Sequence, residues 1–78
     1  MTEEQREQKH LFNCQMGKRI ADLRKSEGLT QEQLSLKAGL QRSHVSRIEA
    51  GKYDVTAFTI ELIANALGGK LEIVPMDL

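Results

Sequence analysis

The chain has 78 residues, with eleven Lys and Arg balancing eleven Asp and Glu, 40% hydrophobic residues, and one Tyr and two Phe as its only aromatics. That length fits one small domain, and a core so poor in aromatics must be built from Leu, Ile, Val and Ala, which favours packed helices over a sandwich. The single cysteine, Cys14, has no partner for an internal disulfide and is read as a half-buried structural thiol; no N-terminal apolar run resembles a signal peptide or a membrane span, so a cytoplasmic protein is expected.

The zero net charge conceals an uneven distribution. Residues 1–8 carry −2 and residues 53–78 carry −3, while residues 9–52 hold nine basic against four acidic side chains, a local +5. On charge alone this central excess fits ordinary solvated faces and a phosphate-binding surface equally well.

Thr2 followed by Glu3, Glu4 and Gln5 reads as a capped helix start, with Gln5 as capping-box partner. Phe12, Met16, Ile20 and Leu23 are expected on the buried face of a helix running to about Glu27 and ending at Gly28. Residues 1–13 form a polar N-terminal extension of this helix, either an exposed helical turn or a frayed arm; with three glutamates in its first eight residues it does not resemble a basic minor-groove arm.

Thr30 and Gln33 predict a second capping box, and Leu34 and Ala38 place an apolar edge on the helix that follows, with the small Ser35 where a neighbouring helix must come close. Gly39 is expected to end this helix in a left-handed conformation. A third helix, roughly Gln41 to Ala50, sends Val45 and Ile48 inward and gathers Arg42, Ser43, Ser46 and Arg47 on its opposite face, which makes Thr30–Gly51 a helix-turn-helix pattern. Thr56 caps a fourth helix with the stripe Ile60, Ile63, Ala64 and Leu67, ending at Gly68 and Gly69. Phe58 and Leu62 lie off that stripe, as peripheral core or as a partner surface. In the tail, KLEIV before Pro75 alternates as a strand does, with Leu71 and Ile73 on one side and Val74 on the other. No second strand exists in the chain to pair with it, so pairing with a second copy across a two-fold axis is expected, through Leu71, Ile73 and Val74.

The runs IADLRKSEGLTQEQLSLKAGL, VSRIEAGK and TAFTIELIANALG, in this order, resemble the helix-turn-helix family of the phage lambda repressor and Cro type, over about Gly17 to Gly68. The resemblance implies a mostly α, compact domain of four to five helices spanning residues 14–69, followed by a dimerisation strand and tail at 70–78. It implies double-stranded DNA as partner, a palindromic operator bound by a homodimer, and a transcriptional regulator, most simply a repressor. Carried over residue by residue, it places Arg42, Ser43, Ser46 and Arg47 against bases, with Arg suited to guanine. Gln31, His44 and Lys52 fall against phosphates, and Arg24 and Glu49 form a structural ion pair. Gln31 also reads as a plain capping-turn residue, Arg47 equally as a phosphate clamp, and Lys52 equally as a solvated side chain. Where relatives carry a proline before the fourth helix, this chain has Val55. The ending ALGGKLEIVP resembles antitoxins of the HipB kind, which adds a toxin as a second possible partner, with toxin neutralisation as the primary role in the alternative reading. No metal, cofactor or catalytic residue is expected, because no Cys/His pair, carboxylate cluster or Gly-rich phosphate loop has usable spacing.

Overall fold

In the computed structural model, which describes residues 1–74, four helices follow one another: α1 (Glu3–Ser26), α2 (Gln31–Ala38), α3 (Arg42–Glu49) and α4 (Ala57–Ala66). Local chemistry sets their starts. Thr2 Oγ1 accepts the Gln5 N–H while Gln5 Oε1 accepts the Thr2 N–H, and the same reciprocal pair, Thr30 with Gln33, opens α2 at 3.1 and 2.8 Å. Thr56 Oγ1 accepts the Thr59 N–H at the head of α4. The extension at residues 1–13 is therefore helical from Glu3 onward, and α1 is one continuous 24-residue rod.

The α2–α3 turn rests on Gly39, whose φ of 72° lies in the left-handed region that a side chain disfavours. Its geometry lets the Leu40 N–H return to the Ser35 carbonyl at 2.9 Å, satisfying an orphan carbonyl at the helix end. Ser35, only 3% exposed, turns its hydroxyl onto the Glu32 carbonyl at 2.6 Å, so a polar residue is tolerated where α2 is most enclosed.

Leu34, Ala38, Val45, Ile48 and Ile63 meet Ile20 in the core, with Met16, Leu40, Val55, Ile60, Leu62 and Leu67 packed around it. Leu62 thus belongs to the peripheral core, whereas Phe58 is 68% exposed. The buried stripe of α1 differs from the expected one: Phe12 and Leu23 are 58% and 46% exposed, and the residues facing inward are Gly17, Ile20 and Arg24. The reason is the crossing with α3. A Cβ built on Gly17 would lie 2.7 Å from the Glu49 carbonyl oxygen and closer still to that of Ile48, so α1 meets the backbone of α3 at a point only glycine allows. That contact rotates the helix so that Arg24, not Leu23, points in.

Cys14 is half-buried. Among the described residues no strand forms: Lys70–Val74, expected as one, has no extended partner in a single chain. Nor do Leu71 and Ile73 share a side. Leu71 lines a cavity of about 250 Å³ with Phe12, Met16 and Ile60, while Ile73 is 95% exposed and Val74 67%. No helix among the described residues is long and apolar enough to cross a membrane.

Candidate nucleic-acid interface

One buried ion pair joins the first and third helices. Arg24 Nε and Nη2 donate to the two Glu49 carboxylate oxygens at 2.7 and 2.9 Å, and Arg24 Nη1 donates to the Leu29 carbonyl at 2.8 Å. This is the bidentate fork that only a guanidinium supplies, and it uses most of the donors of a side chain just 9% exposed. Hydrogen bonding to Glu49 raises the Arg24 pKa further. For Glu49, burial pushes the carboxyl up, but the hydrogen bonds from Arg24 and Gln31 and the nearby charges of Arg24 and Lys25 outweigh it, leaving the group below its ordinary 4.5.

Gln31 enters this network in a way its sequence position does not announce. Its Nε2 donates to Glu49 Oε1 at 3.0 Å, so one amide ties the first turn of α2 to the last turn of α3. Its backbone N–H and that of Glu32 remain without an intrahelical acceptor at the positive end of the helix. A cleft of about 370 Å³ between the starts of α2 and α3 is bounded by Arg24, Thr30, Gln31, Glu32 and Arg42. It offers helix N–H groups and a guanidinium to an anion.

α3 departs from the other helices at its start. Gln41 stands at the N-cap without a side-chain hydrogen bond, where a threonine caps each of the other three; as in α4, no acidic residue occupies the first turn. Arg42, Ser43, Ser46 and Arg47 are all exposed, and their side chains make no hydrogen bond or ion pair among the described residues. Val45 and Ile48 hold the opposite face at 0% and 2% exposure. The helix therefore carries an outward surface of donors above a rigid apolar base.

His44 lies elsewhere than expected. It is half-buried, its ring meets the edge of Tyr53 with centroids 4.7 Å apart, and Nε2 is enclosed without a partner among the described residues. A ring whose tip is closed off in this way packs the loop after α3; it is not placed to reach outward for a phosphate. Lys52 stays exposed beside that loop, its backbone N–H held by the Arg47 carbonyl at 3.0 Å. Tyr53 carried no signal in the sequence, since a lone aromatic in a loop has no periodicity, and the same holds for Asp54, which accepts from Asn13 Nδ2 at 2.7 Å and pairs with Lys9.

Two short helices joined by a left-handed glycine, both anchored in the core and the second presenting an exposed polar face, define a helix-turn-helix module. Residues 20–74 match the family described as HTH_3, Helix-turn-helix, and the chain belongs to that family. It is 45% identical over 53 residues to the immunity repressor protein of Bacillus phage phi105, an alignment covering 68% of this chain and 37% of that protein. Thus the chain spans well under half the length of this relative. It is 36% identical over 53 residues to the uncharacterized HTH-type transcriptional regulator y4dJ of Sinorhizobium fredii (strain NBRC 101917 / NGR234), covering 68% of this chain and 69% of that one. Among solved structures, the restriction-modification controller protein C.AhdI from Aeromonas hydrophila superposes with a TM-score of 0.75 at 35% identity, over 77% of this chain and 91% of that one. An HTH_3 family transcriptional regulator from Vibrio cholerae gives 0.76 at 27% identity, over 80% of this chain and 35% of that one.

Proposed function

We propose that the protein is a sequence-specific double-stranded-DNA-binding transcriptional regulator, a repressor that acts in the cytoplasm as a homodimer on a palindromic operator. The observation that carries this reading is the outward face of α3, where Arg42, Ser43, Ser46 and Arg47 are exposed and their side chains make no hydrogen bond or ion pair among the described residues, beside an uncapped helix start. Likeness to named repressors and regulators supports it.

In this reading the cleft at the start of α2 receives a backbone phosphate through the Gln31 N–H groups, Lys52 holds a second one, and α3 enters the major groove. Arg42 and Arg47 then reach guanine O6 and N7, with Ser43 and Ser46 on neighbouring bases. Sequences selected by the protein from a random duplex pool are expected to contain guanines in each half-site. Arg42→Ala should weaken binding to the selected sequence by about 1–3 kcal/mol and relax the preference at one position; unchanged discrimination between selected and scrambled duplexes would remove its base-reading role.

An eight-residue recognition helix is only about 12 Å long and reads few base pairs, so two copies set roughly 34 Å apart are needed to read a palindrome. Lys70–Val74, with Ile73 and Val74 exposed, is the segment we assign to that pairing, as a two-stranded ribbon across the two-fold axis. Removal of residues 70–78 is expected to give a monomer by light scattering, and a truncated protein that stays dimeric refutes the assignment. Phe58, exposed on α4, favours a second reading: an antitoxin that neutralises a toxin through this face, with DNA binding secondary. A co-purifying protein whose growth arrest this chain relieves selects that reading, and its absence the first.

A further inference from the structure

We infer that the N-terminal half of α1 and the loop after α3 form a basic trough that takes the DNA phosphates flanking the half-site. This rests on the function proposed above and extends its contact surface beyond α2 and α3. The segment concerned lies ahead of residue 20, outside the part of the chain matched to the family.

Arg6, Lys9, His10 and Asn13 recur at i, i+3, i+4 and i+7 and so share one helix face. That face lines an open trough of about 490 Å³ whose opposite wall is the loop bearing Lys52 and Asp54. Glu4 and Glu7 do not line it, so the acidic count of the extension does not describe this side. Arg6, Lys9 and Lys52 line it with the carboxylate of Asp54, which pairs with Lys9. Glu3 stands 3.7 Å from Arg6 at the rim, in a pair whose side chains are 66% and 80% exposed. Pairs so exposed contribute little, and a phosphate displaces them readily.

Asp54 stands on the loop side of the trough, facing α1. It holds Lys9 and Asn13 of α1 against the loop, and these hydrogen bonds, that of Lys9 foremost, keep its carboxyl below the usual aspartate range. The crossing of α1 with α3 at Gly17 sets the direction of α1 relative to Lys52, itself continuous with α3 through the Arg47 carbonyl. The capping box at Thr2 keeps the segment helical to its start. From Arg6 to Asn13 the face runs about 10 Å along the helix axis. A duplex engaged by α3 and Lys52 and continuing outward meets cations along this length. Continuity with Lys52 makes the flanking backbone, not a separate anion, the occupant.

The test uses the sequence that the wild-type full chain selects from a random pool, prepared once as a trimmed duplex and once extended by about one turn, roughly ten base pairs, on each side. Affinities are measured by fluorescence anisotropy across about 50–200 mM salt. The wild type should bind the extended duplex more tightly. The variant Arg6→Gln/Lys9→Gln, with helicity checked by circular dichroism, should lose that advantage while selecting the same sequence. Its log–log salt slope on the extended duplex should fall by about 1.8, equal to on the order of tenfold in affinity over this salt range. A double variant that keeps the flank advantage, or a wild type that binds both duplexes equally, overturns the trough as a contact and leaves the proposed function standing. A wild type that selects no sequence overturns both.

Discussion

Gly17→Ala is expected to lower the melting temperature by about 10 °C, although it places the best helix former in the middle of a helix. Alanine improves the intrinsic propensity of an interior glycine by about 1 kcal/mol. Against this, its Cβ would lie 2.7 Å from the Glu49 carbonyl oxygen and within closer range of the Ile48 carbonyl. Both obstacles are backbone of α3, so no rotamer change relieves the contact and the two helices must separate. Overpacking of this kind costs roughly 1–3 kcal/mol, and rigid obstacles place it near the upper end, which leaves about 2 kcal/mol of net loss. Gly17→Val should be worse. The separation also strains the Arg24–Glu49 pair across the same crossing, so DNA affinity should fall with stability although no contacting side chain has changed. A thermal melt in which Gly17→Ala matches or exceeds the wild type would show that the crossing yields easily and that this account of it is wrong.

Glu49→Ala is expected to destabilise the domain by about 3–5 kcal/mol, because it strands a guanidinium in the interior. Arg24 is 9% exposed, and without Glu49 only the Leu29 carbonyl among the described residues remains to accept from it. Changing both residues to apolar ones of similar volume should cost less than the single change, which a double-mutant cycle in urea resolves. The same pair gives stability a pH dependence. Glu49 titrates below its ordinary 4.5 in the folded chain, so the folded state binds this proton less readily than the unfolded one. Its contribution is complete above about pH 4.5 and disappears as pH falls through the lower folded value. Urea midpoints of the wild type should therefore drop on acidification below pH 4.5, and those of Glu49→Gln should drop less. Parallel curves for the two proteins would exclude Glu49 as the source.

Much of this architecture is legible in the chain because several local signals agree on each element. Thr30 and Gln33 cap α2, Gly39 ends it, and Leu34, Ala38, Val45 and Ile48 occupy the core positions that helical spacing assigns them. The Arg24–Glu49 pair is legible only through family resemblance, and the structure places it as that resemblance implies. The stripe of α1 departs from its hydrophobic periodicity at Phe12 and Leu23 for a physical reason. Hydrophobic periodicity gives no weight to a glycine or an arginine, yet here a glycine makes the closest approach and a paired arginine is buried beside it. Among the candidate contacts, Arg42, Ser43, Ser46, Arg47 and Lys52 are exposed as expected. His44 turned inward because its neighbour in space, Tyr53, comes from a loop whose path depends on tertiary packing. The bond from Gln31 to Glu49 spans helices and has no local trace. The tail's alternation of Leu71 and Ile73 is a strand pattern, but a strand is a property of a pair, and a single chain supplies half of one.

The outward side chains of α3 take no part in holding the fold. Arg42, Ser43, Ser46 and Arg47 bond to nothing else among the described residues, while Val45, Ile48 and Glu49 of the same helix carry its attachment. If the proposed base-reading role is right, replacing the first group alters preference among sequences; the cost in stability should be small in either case, since surface changes away from caps and pairs usually stay within about 0.5 kcal/mol. The scaffold is in that sense neutral to its message. Duplicated copies of such a gene can drift apart in the sites they recognise without first having to acquire spare stability, and the four exposed positions mark where that divergence would begin.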